Sequence, residues 1–255
     1  MRIKRSFLRN RNSGNSIPLH HQQLLSGFLK QHIHQLAVKT DIYVFSSMKG
    51  TSKVQSGFMQ FLSSKVTLAI SSNNDEFVES LVKRIFEEQN IEIGKLSMMP
   101  KSQELIVEPQ FQTKMKYVCI SPIVLSNPEK DAELAQNSID PSSHQFSDML
   151  YNSLMDRMEK AGFSNEELDS FAVFEVTPDK DYVSKIVSSG KKFARIYKDD
   201  EDNQMMGYLL PFALHAHPKV HKFIWDCGIG LLNNQGYGMI DLAKEESNAP
   251  NPNQV

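Results

Sequence analysis

The sequence predicts an α+β protein of two tandem ferredoxin-like (RRM-like) β-α-β-β-α-β domains, closed by a C-terminal glycine-rich loop. Three observations predict it. Strand-like alternation and helical spacing of apolar residues succeed one another in that order twice. Turn signals over residues 100–113 separate the two runs, dividing the chain into 1–112 and 113–245 with a polar tail at 246–255. The last is Gly228-Ile229-Gly230 and Gly236-Tyr237-Gly238, two Gly-x-Gly pairs that composition alone would not produce.

The first strand is residues 2–9, with Ile3 and Phe7 on one side and Arg2 and Lys4 among the outward positions. Five basic residues (Arg2, Lys4, Arg5, Arg9, Arg11) fall in the first eleven, a pattern that suits either a solvated edge or RNA contact. Pro18 is expected to open a helix over 19–36, since proline is tolerated in a first turn. At 100° per residue, Leu25, Phe28, Leu29, His32 and Leu36 share an apolar stripe. Gln23, Gly27, Lys30 and His34 share the opposite one, with His20 at its N-terminal margin. His32 therefore reads as packed, whereas Lys30 and His34 stand one turn apart where both can reach a single phosphate.

A strand at 41–47 leads into the basic turn Lys49-Gly50-Thr51-Ser52-Lys53, then a hairpin of 57–62 with 64–71. A helix over 75–89 and strands at 91–99 and 105–107 complete the first half. The second half begins with a strand at 116–125, a polar loop at 127–143 and a helix at 144–161 capped by Gly162. Strands at 170–177, 191–198 and 207–215 follow, the middle one basic and aromatic through Lys192, Phe193, Arg195 and Tyr197. The acidic turn Asp199-Asp200-Glu201-Asp202 reads as a solvated hairpin tip, because it lacks the glycine and terminal glutamate of a calcium loop. His217-Pro218 starts the last helix, which delivers the chain to the glycines.

The 255 residues, 40% of them hydrophobic, suffice for one large core or two small ones, and a net charge of −2 gives no global attraction to nucleic acid. Any RNA site must come from local clustering. Cys119 and Cys227 have no partner spacing for zinc or a disulfide and are expected as reduced core residues. No run of 18 apolar residues and no signal-peptide core is present, so the expectation is a cytoplasmic protein without a membrane partner. No cofactor is expected. No carboxylate or histidine cluster has metal-ligand spacing, so chemistry that depends on a pair of bound metal ions is not expected.

Glycines at this density permit positive φ and close backbone approach, and their N–H groups can form a concave anion site. A tight helix-to-strand connection without a ligand is the plainer alternative. The loop is not a Walker motif, since no Gly-Lys-Ser/Thr follows, nor a dinucleotide fingerprint, since it follows a late helix. The doubled Gly-x-Gly near the C-terminus resembles the glycine-rich loop of the RAMP superfamily of CRISPR-associated proteins, most of all their repeat-cleaving endoribonucleases. Three further stretches are similar to that family: Ile17-Pro18-Leu19-His20-His21-Gln22 into the first helix, Tyr43-Val44-Phe45-Ser46, and Ser121-Pro122-Ile123.

The resemblance implies precursor CRISPR RNA as substrate, 2′,3′-cyclic phosphate and 5′-hydroxyl products, and a groove between the domains that holds RNA. The family carries a tyrosine in the first helix, a histidine shortly after and a lysine beyond. In this sequence Lys30 takes the tyrosine position and no histidine lies between His34 and His144. His34 is the nearest match to the family histidine, with His32 and His20 behind it, while Lys39, Lys49 or Lys53 would stabilise charge. Arg2, Lys4, Lys49, Lys53, Lys192 and Arg195, with Gly228, Gly230, Gly236 and Gly238, make up the expected RNA contacts. A non-catalytic RNA-binding subunit of a CRISPR effector complex is the alternative reading, and a small-ligand or protein-binding module is a third. Other effector subunits and a second copy of the chain remain open as partners.

Overall fold

The protein is described here by a computed structural model that covers residues 1–10, 14–126 and 137–243. Arg11, most of the predicted polar loop at 127–136, and the tail lie outside the described residues. The first half runs β1 (Arg2–Arg9), β2 (Ser16–Pro18), α1 (Gln22–His34), β3 (Tyr43–Phe45), β4 (Ser52–Gln55), β5 (Phe58–Phe61), β6 (Lys65–Ser72), α2 (Asp75–Phe86), β7 (Ile91–Ile93) and β8 (Leu96–Leu105). The second half runs β9 (Lys114–Cys119), β10 (Ile123–Val124), α3 (His144–Lys160), α4 (Asn165–Asp169), β11 (Phe174–Pro178), α5 (Lys180–Ser188), β12 (Ala194–Lys198), β13 (Gln204–Tyr208), β14 (Phe212–Ala216), α6 (Pro218–Cys227) and β15 (Ile240–Leu242).

All pairings between named strands are antiparallel. In the first half the main sheet has the order β3-β6-β1-β8-β7, and in the second it is β11-β14-β9-β15. Each is covered by two amphipathic helices. Leu25 and Leu29 of α1 and Phe77, Leu81 and Ile85 of α2 are buried against Ile3, Phe7, Leu68 and Ile70. Leu150, Leu154 and Met158 of α3 and Val220, Phe223 and Ile224 of α6 bury a second core over Tyr117, Phe212 and Leu214. Burying one such side chain is worth roughly 1.5–3 kcal/mol, so these two stripes supply much of what fixes the halves. Asn74 caps α2 by accepting from the Phe77 N–H, and Ser143 caps α3 through Phe146.

Two smaller sheets are added to this plan, and they correct three expectations. Pro18 does not open α1; it ends β2, whose partner β5 also pairs with β4 in the sheet β2-β5-β4. Residues 58–61 therefore do not pair with β6, which instead lies against β1 and β3. Proline has no N–H to donate, so an edge strand accommodates it as readily as a helix start. The apolar run 207–215 is not one strand either. It breaks at Leu209-Leu210-Pro211 into β13 and β14, which belong to different sheets, β10-β13-β12 and β11-β14-β9-β15. Helices α4 and α5 were not expected from periodicity; neither buries a residue fully.

Candidate functional site

The glycine loop begins where α6 ends at Gly228, with φ of 80°. Gly228, Gly230, Gly236 and Gly238 all have positive φ, and all four are buried. A side chain at Gly236 would place its Cβ 2.4 Å from the Phe45 ring of β3, and one at Gly238 would meet the Ile229 carbonyl at 1.9 Å. The N–H groups of Gly228, Gly236 and Gly238 donate to the carbonyls of Ile224, Asn233 and Pro122. The Asn233 side chain bridges the Ile229 and Tyr237 carbonyls at 3.2 and 2.9 Å. Arg157 of α3 holds the entering backbone, donating to the Gly228 carbonyl at 2.9 Å, the Gly230 carbonyl at 3.3 Å and the Cys227 carbonyl. The phosphate cradle expected of these glycines is therefore corrected: their conformations serve close packing between the halves, and these donors are used within the protein.

Beside this loop, the polar stripe of α1 meets the acidic turn after β12. The Ser26 hydroxyl donates to Asp200 at 2.8 Å, Lys30 pairs with the same carboxylate at 2.6 Å, and the Gln23 amide donates to the Asp199 carbonyl. The Asp200 N–H donates to Gln235 of the glycine loop at 3.0 Å. The turn is thus a latch between the two halves of the chain and not a free hairpin tip. Lys30, expected to act with His34 on a phosphate, faces a carboxylate, while His34 is exposed in the last turn of α1. His32 is buried as its stripe predicts, with Nδ1 2.8 Å from the Phe28 carbonyl and Nε2 3.4 Å from Glu88.

Arg2 and Arg5 of β1 are turned inward, against the expectation for Arg2, while Lys4 stays at the surface in an ion pair. The Arg2 guanidinium lies 3.7 Å from the Trp225 ring centroid and donates to the Trp225 and Ile240 carbonyls, and burial lowers its pKa to about 10. Lys4 pairs with Glu104 at 2.6 Å, Arg5 is buried and donates to Gln103, and Arg9 donates to the Ser63 carbonyl. Within β1, residues 3, 5 and 7 alternate onto the helix-covered face, which is why Arg5 lies between Ile3 and Phe7.

The remaining expected basic residues converge elsewhere. A cleft of about 270 Å³ opens between the halves, lined by Leu19, His21, Ser47, Lys49, Arg195 and Tyr197 among others. A broader hollow of about 620 Å³ adjoins it through Arg195 and adds His20, Lys191, Lys192 and Ile196. His20 is exposed, its ring edge-on to Tyr197 with centroids 4.3 Å apart. Partial burial, and secondarily the Arg195 charge, lower its pKa below the ordinary histidine value. Its neighbour His21 is buried, with Nδ1 near the Pro18 and Leu19 carbonyls and Nε2 accepting from the Met48 N–H at 3.0 Å. Burial pushes the His21 pKa down to about 4, so it is a neutral structural group that pins Met48, and with it Lys49. Lys49 as a residue is exposed, yet enough protein surrounds its ammonium that desolvation lowers its pKa. Lys53 is exposed on β4, beside Ser52, which also lines the cleft.

Sequence reasoning missed Ser47, Tyr197 as a wall of the cleft, and Asp200 as a latch. The alternation Arg195-Ile196-Tyr197 carried a signal for the second, since period 2 places Arg195 and Tyr197 on one face. Nothing local marked the other two. Among the described residues no group of three or more His, Cys, Asp or Glu side chains is placed to hold a metal ion, and no helix is long and apolar enough to cross a membrane.

Comparison with known proteins places this architecture. The family described as CRISPR associated protein Cas6, C-terminal, matches residues 106–242, more than half of the chain. The CRISPR-associated endoribonuclease Cas6 1 of Methanocaldococcus jannaschii is 25% identical over 249 residues, 92% of this chain and 90% of the relative. A solved structure described as CRISPR associated protein Cas6 superposes with a TM-score of 0.75 at 21% identity, covering 96% of this chain and 99% of that one. Another, described as an RAMP protein binding different RNA substrates, also gives 0.75, at 17% identity and covering 96% of this chain and 100% of that one. The chain belongs to the Cas6 C-terminal family of CRISPR-associated proteins.

Proposed function

We propose that this chain is an endoribonuclease that binds CRISPR repeat RNA across the cleft between two ferredoxin-like domains, residues 1–112 and 113–245, and cleaves precursor CRISPR RNA without a metal ion. The strand orders β8-β1-β6-β3 and β15-β9-β14-β11 support the domain reading, since each places the four strands of a β-α-β-β-α-β unit in the same arrangement. One observation carries the functional reading. His20, Lys49 and Arg195 come from three separate segments and line two adjoining solvent-open hollows that share Arg195, whereas Lys30 and His32 are engaged within the protein.

The chemistry follows from that set. A histidine held below its ordinary pKa is neutral near pH 7, so His20 is suited to accept the 2′-hydroxyl proton. The 2′-oxygen attacks phosphorus, the bond to the 5′ oxygen breaks, and that oxygen leaves with a proton. Lys49, a stronger acid than an ordinary lysine, is suited to supply it. Arg195 faces the phosphoryl oxygens, where fixed positive charge stabilises the transition state more than the ground state. The products are a 2′,3′-cyclic phosphate and a 5′-hydroxyl. A cytoplasmic location, where precursor RNA is available, fits this role.

The test is cleavage of labelled repeat RNA in EDTA at saturating enzyme. Parent protein is expected to cleave at one position, and His20→Ala to slow the single-turnover rate by about 10² or more. A strict Mg²⁺ requirement would overturn the mechanism. A parental rate for His20→Ala with a slow His34→Ala would move the base to the end of α1. Tight binding without cleavage would favour the second reading, an RNA-binding RAMP subunit of an effector complex. The pairing of Lys30 with Asp200, at the position where the family carries its tyrosine, is the observation that favours it.

A further inference from the structure

The small sheet β2-β5-β4 overhangs the cleft. Its tip is the two-residue turn Ser56-Gly57, with φ of 51° and 77°, the left-handed pair that joins strands in a tight hairpin. Register places Lys53 opposite Gln60, and Gln55 opposite Phe58, which is itself opposite Pro18. Alternation then gathers Lys53, Gln55, Phe58 and Gln60 on one face. Across the sheet, Ile17 and Phe61 are buried in the core, so the Lys53–Phe58 face is the one turned to solvent. Phe58 is 48% exposed there, and Val54 on the other side of the tip is 60% exposed.

An aromatic ring left in water on a rigid strand, flanked by a lysine and two primary amides, has the chemistry of a single-stranded RNA platform. Unpaired bases stack on the ring, amides meet their edges, and the ammonium takes the backbone. Position supports that occupant. The Gly57 carbonyl accepts the Leu19 N–H at 2.8 Å, which anchors the tip one residue from His20. Ser52 and Met59, on the opposite face of the same hairpin, line the cleft that holds Lys49 and Arg195. The hairpin thus forms a rim of the cleft, with Ser52 and Met59 on its inner face and Phe58 and Lys53 on its outer one.

We infer that the β4–β5 hairpin is a substrate platform on which Phe58 stacks an unpaired base of the repeat RNA flanking the scissile phosphate, with Lys53 on the adjoining phosphate. This rests on the RNA-cleavage reading above. The hairpin selects for an unstacked nucleotide at that place, so it acts on recognition and not on the chemical step.

Anisotropy titrations of repeat RNA test it, with parent, Phe58→Ala, Phe58→Trp and Lys53→Ala. Phe58→Ala is expected to weaken binding about ten-fold and Phe58→Trp to restore it. Both should melt as the parent does, and Phe58→Ala should cleave within two-fold of the parental single-turnover rate at saturating enzyme, by the roughly rate-neutral effect of lost uniform binding. Lys53→Ala is expected to lower the slope of log affinity against log salt by about 0.7, one phosphate contact on a single strand. Fully paired RNA of the same sequence should show no difference between parent and Phe58→Ala. If the parent binds repeat RNA and Phe58→Ala binds equally well, the platform is wrong while the cleft stands. If the parent itself binds no repeat RNA, the cleavage reading falls and the platform with it.

Discussion

The loop at 228–238 and the cleft around His20 both form where the two halves meet, but they use their polar groups in opposite ways. In the loop, backbone donors, the Asn233 amide and the Arg157 guanidinium are bonded to one another's surroundings, and burial lowers the Arg157 pKa to about 10. In the cleft and the hollow beside it, His20, Lys49 and Arg195 are exposed side chains. The lesson is that glycine density reports how closely two backbones approach, and only the fate of the N–H groups says what they approach. Here it is Phe45 and the chain itself. The loop then serves function indirectly, by fixing β3 of one half against β10 and α3 of the other.

The largest expected effect separates these roles. Gly238→Val would put a Cβ on the Ile229 carbonyl at a backbone conformation, φ of 74°, that valine avoids. The loss of folding stability should be on the order of 4 kcal/mol or more, from strain and overpacking together. A chemical denaturation curve measures it. A variant that melts like the parent but fails to bind RNA would return the loop to phosphate binding.

A second comparison lies inside the sequence His20-His21. The two rings share a dipeptide, yet one is at the cleft rim and the other is locked between carbonyls and the Met48 N–H. Because burial holds His21 near pKa 4, the unfolded chain binds its proton first as pH falls below 6.5. The neutral ring therefore contributes stability in full above about 6.5, and that contribution is lost progressively as pH falls through 4. A gap of this size is worth about 3 kcal/mol. Between pH 7 and 4 the parent should lose about that much more stability than His21→Gln, read from paired urea curves. Equal losses would mean that the buried ring titrates normally.

The main elements were legible because amphipathic period is a local property. The stripes of α1, α2 and α3, the packing of His32, and the strand at 2–9 all follow from spacing alone. The errors fall where one residue serves two conformations. Pro18 satisfies an edge strand and a helix start equally, and only pairing with Phe58 decides. Pro211 was the sole punctuation in an apolar run that two sheets divide. The site was legible as a set of residues but not as a place. That Arg195 reaches His20, or that Asp200 reaches Lys30, depends on how the halves dock, and no periodicity encodes docking.

The smallest effect tests that docking. Lys30 and His34 occupy one stripe of α1, which suggests joint action on a phosphate, but the Lys30 ammonium is paired with Asp200 of the other half. Side-chain exposures of 52% for Lys30 and 21% for Asp200 put the pair in partly screened surroundings, where such contacts contribute about 0.5 kcal/mol. Ser26 still donates to the same carboxylate, so removing the lysine leaves the latch closed. Lys30→Ala should therefore lower the melting temperature slightly in low salt and not at all in 1 M salt, where the Debye length falls to about 3 Å. Its single-turnover cleavage should stay within about three-fold of the parent, far short of the ~10²-fold expected of a proton-transfer group. If Lys30→Ala instead slows cleavage as much as His20→Ala while melting unchanged, then Lys30 leaves Asp200 to meet the substrate. The acidic turn would then be a gate over α1, and the reacting phosphate would lie along that helix and not in the cleft.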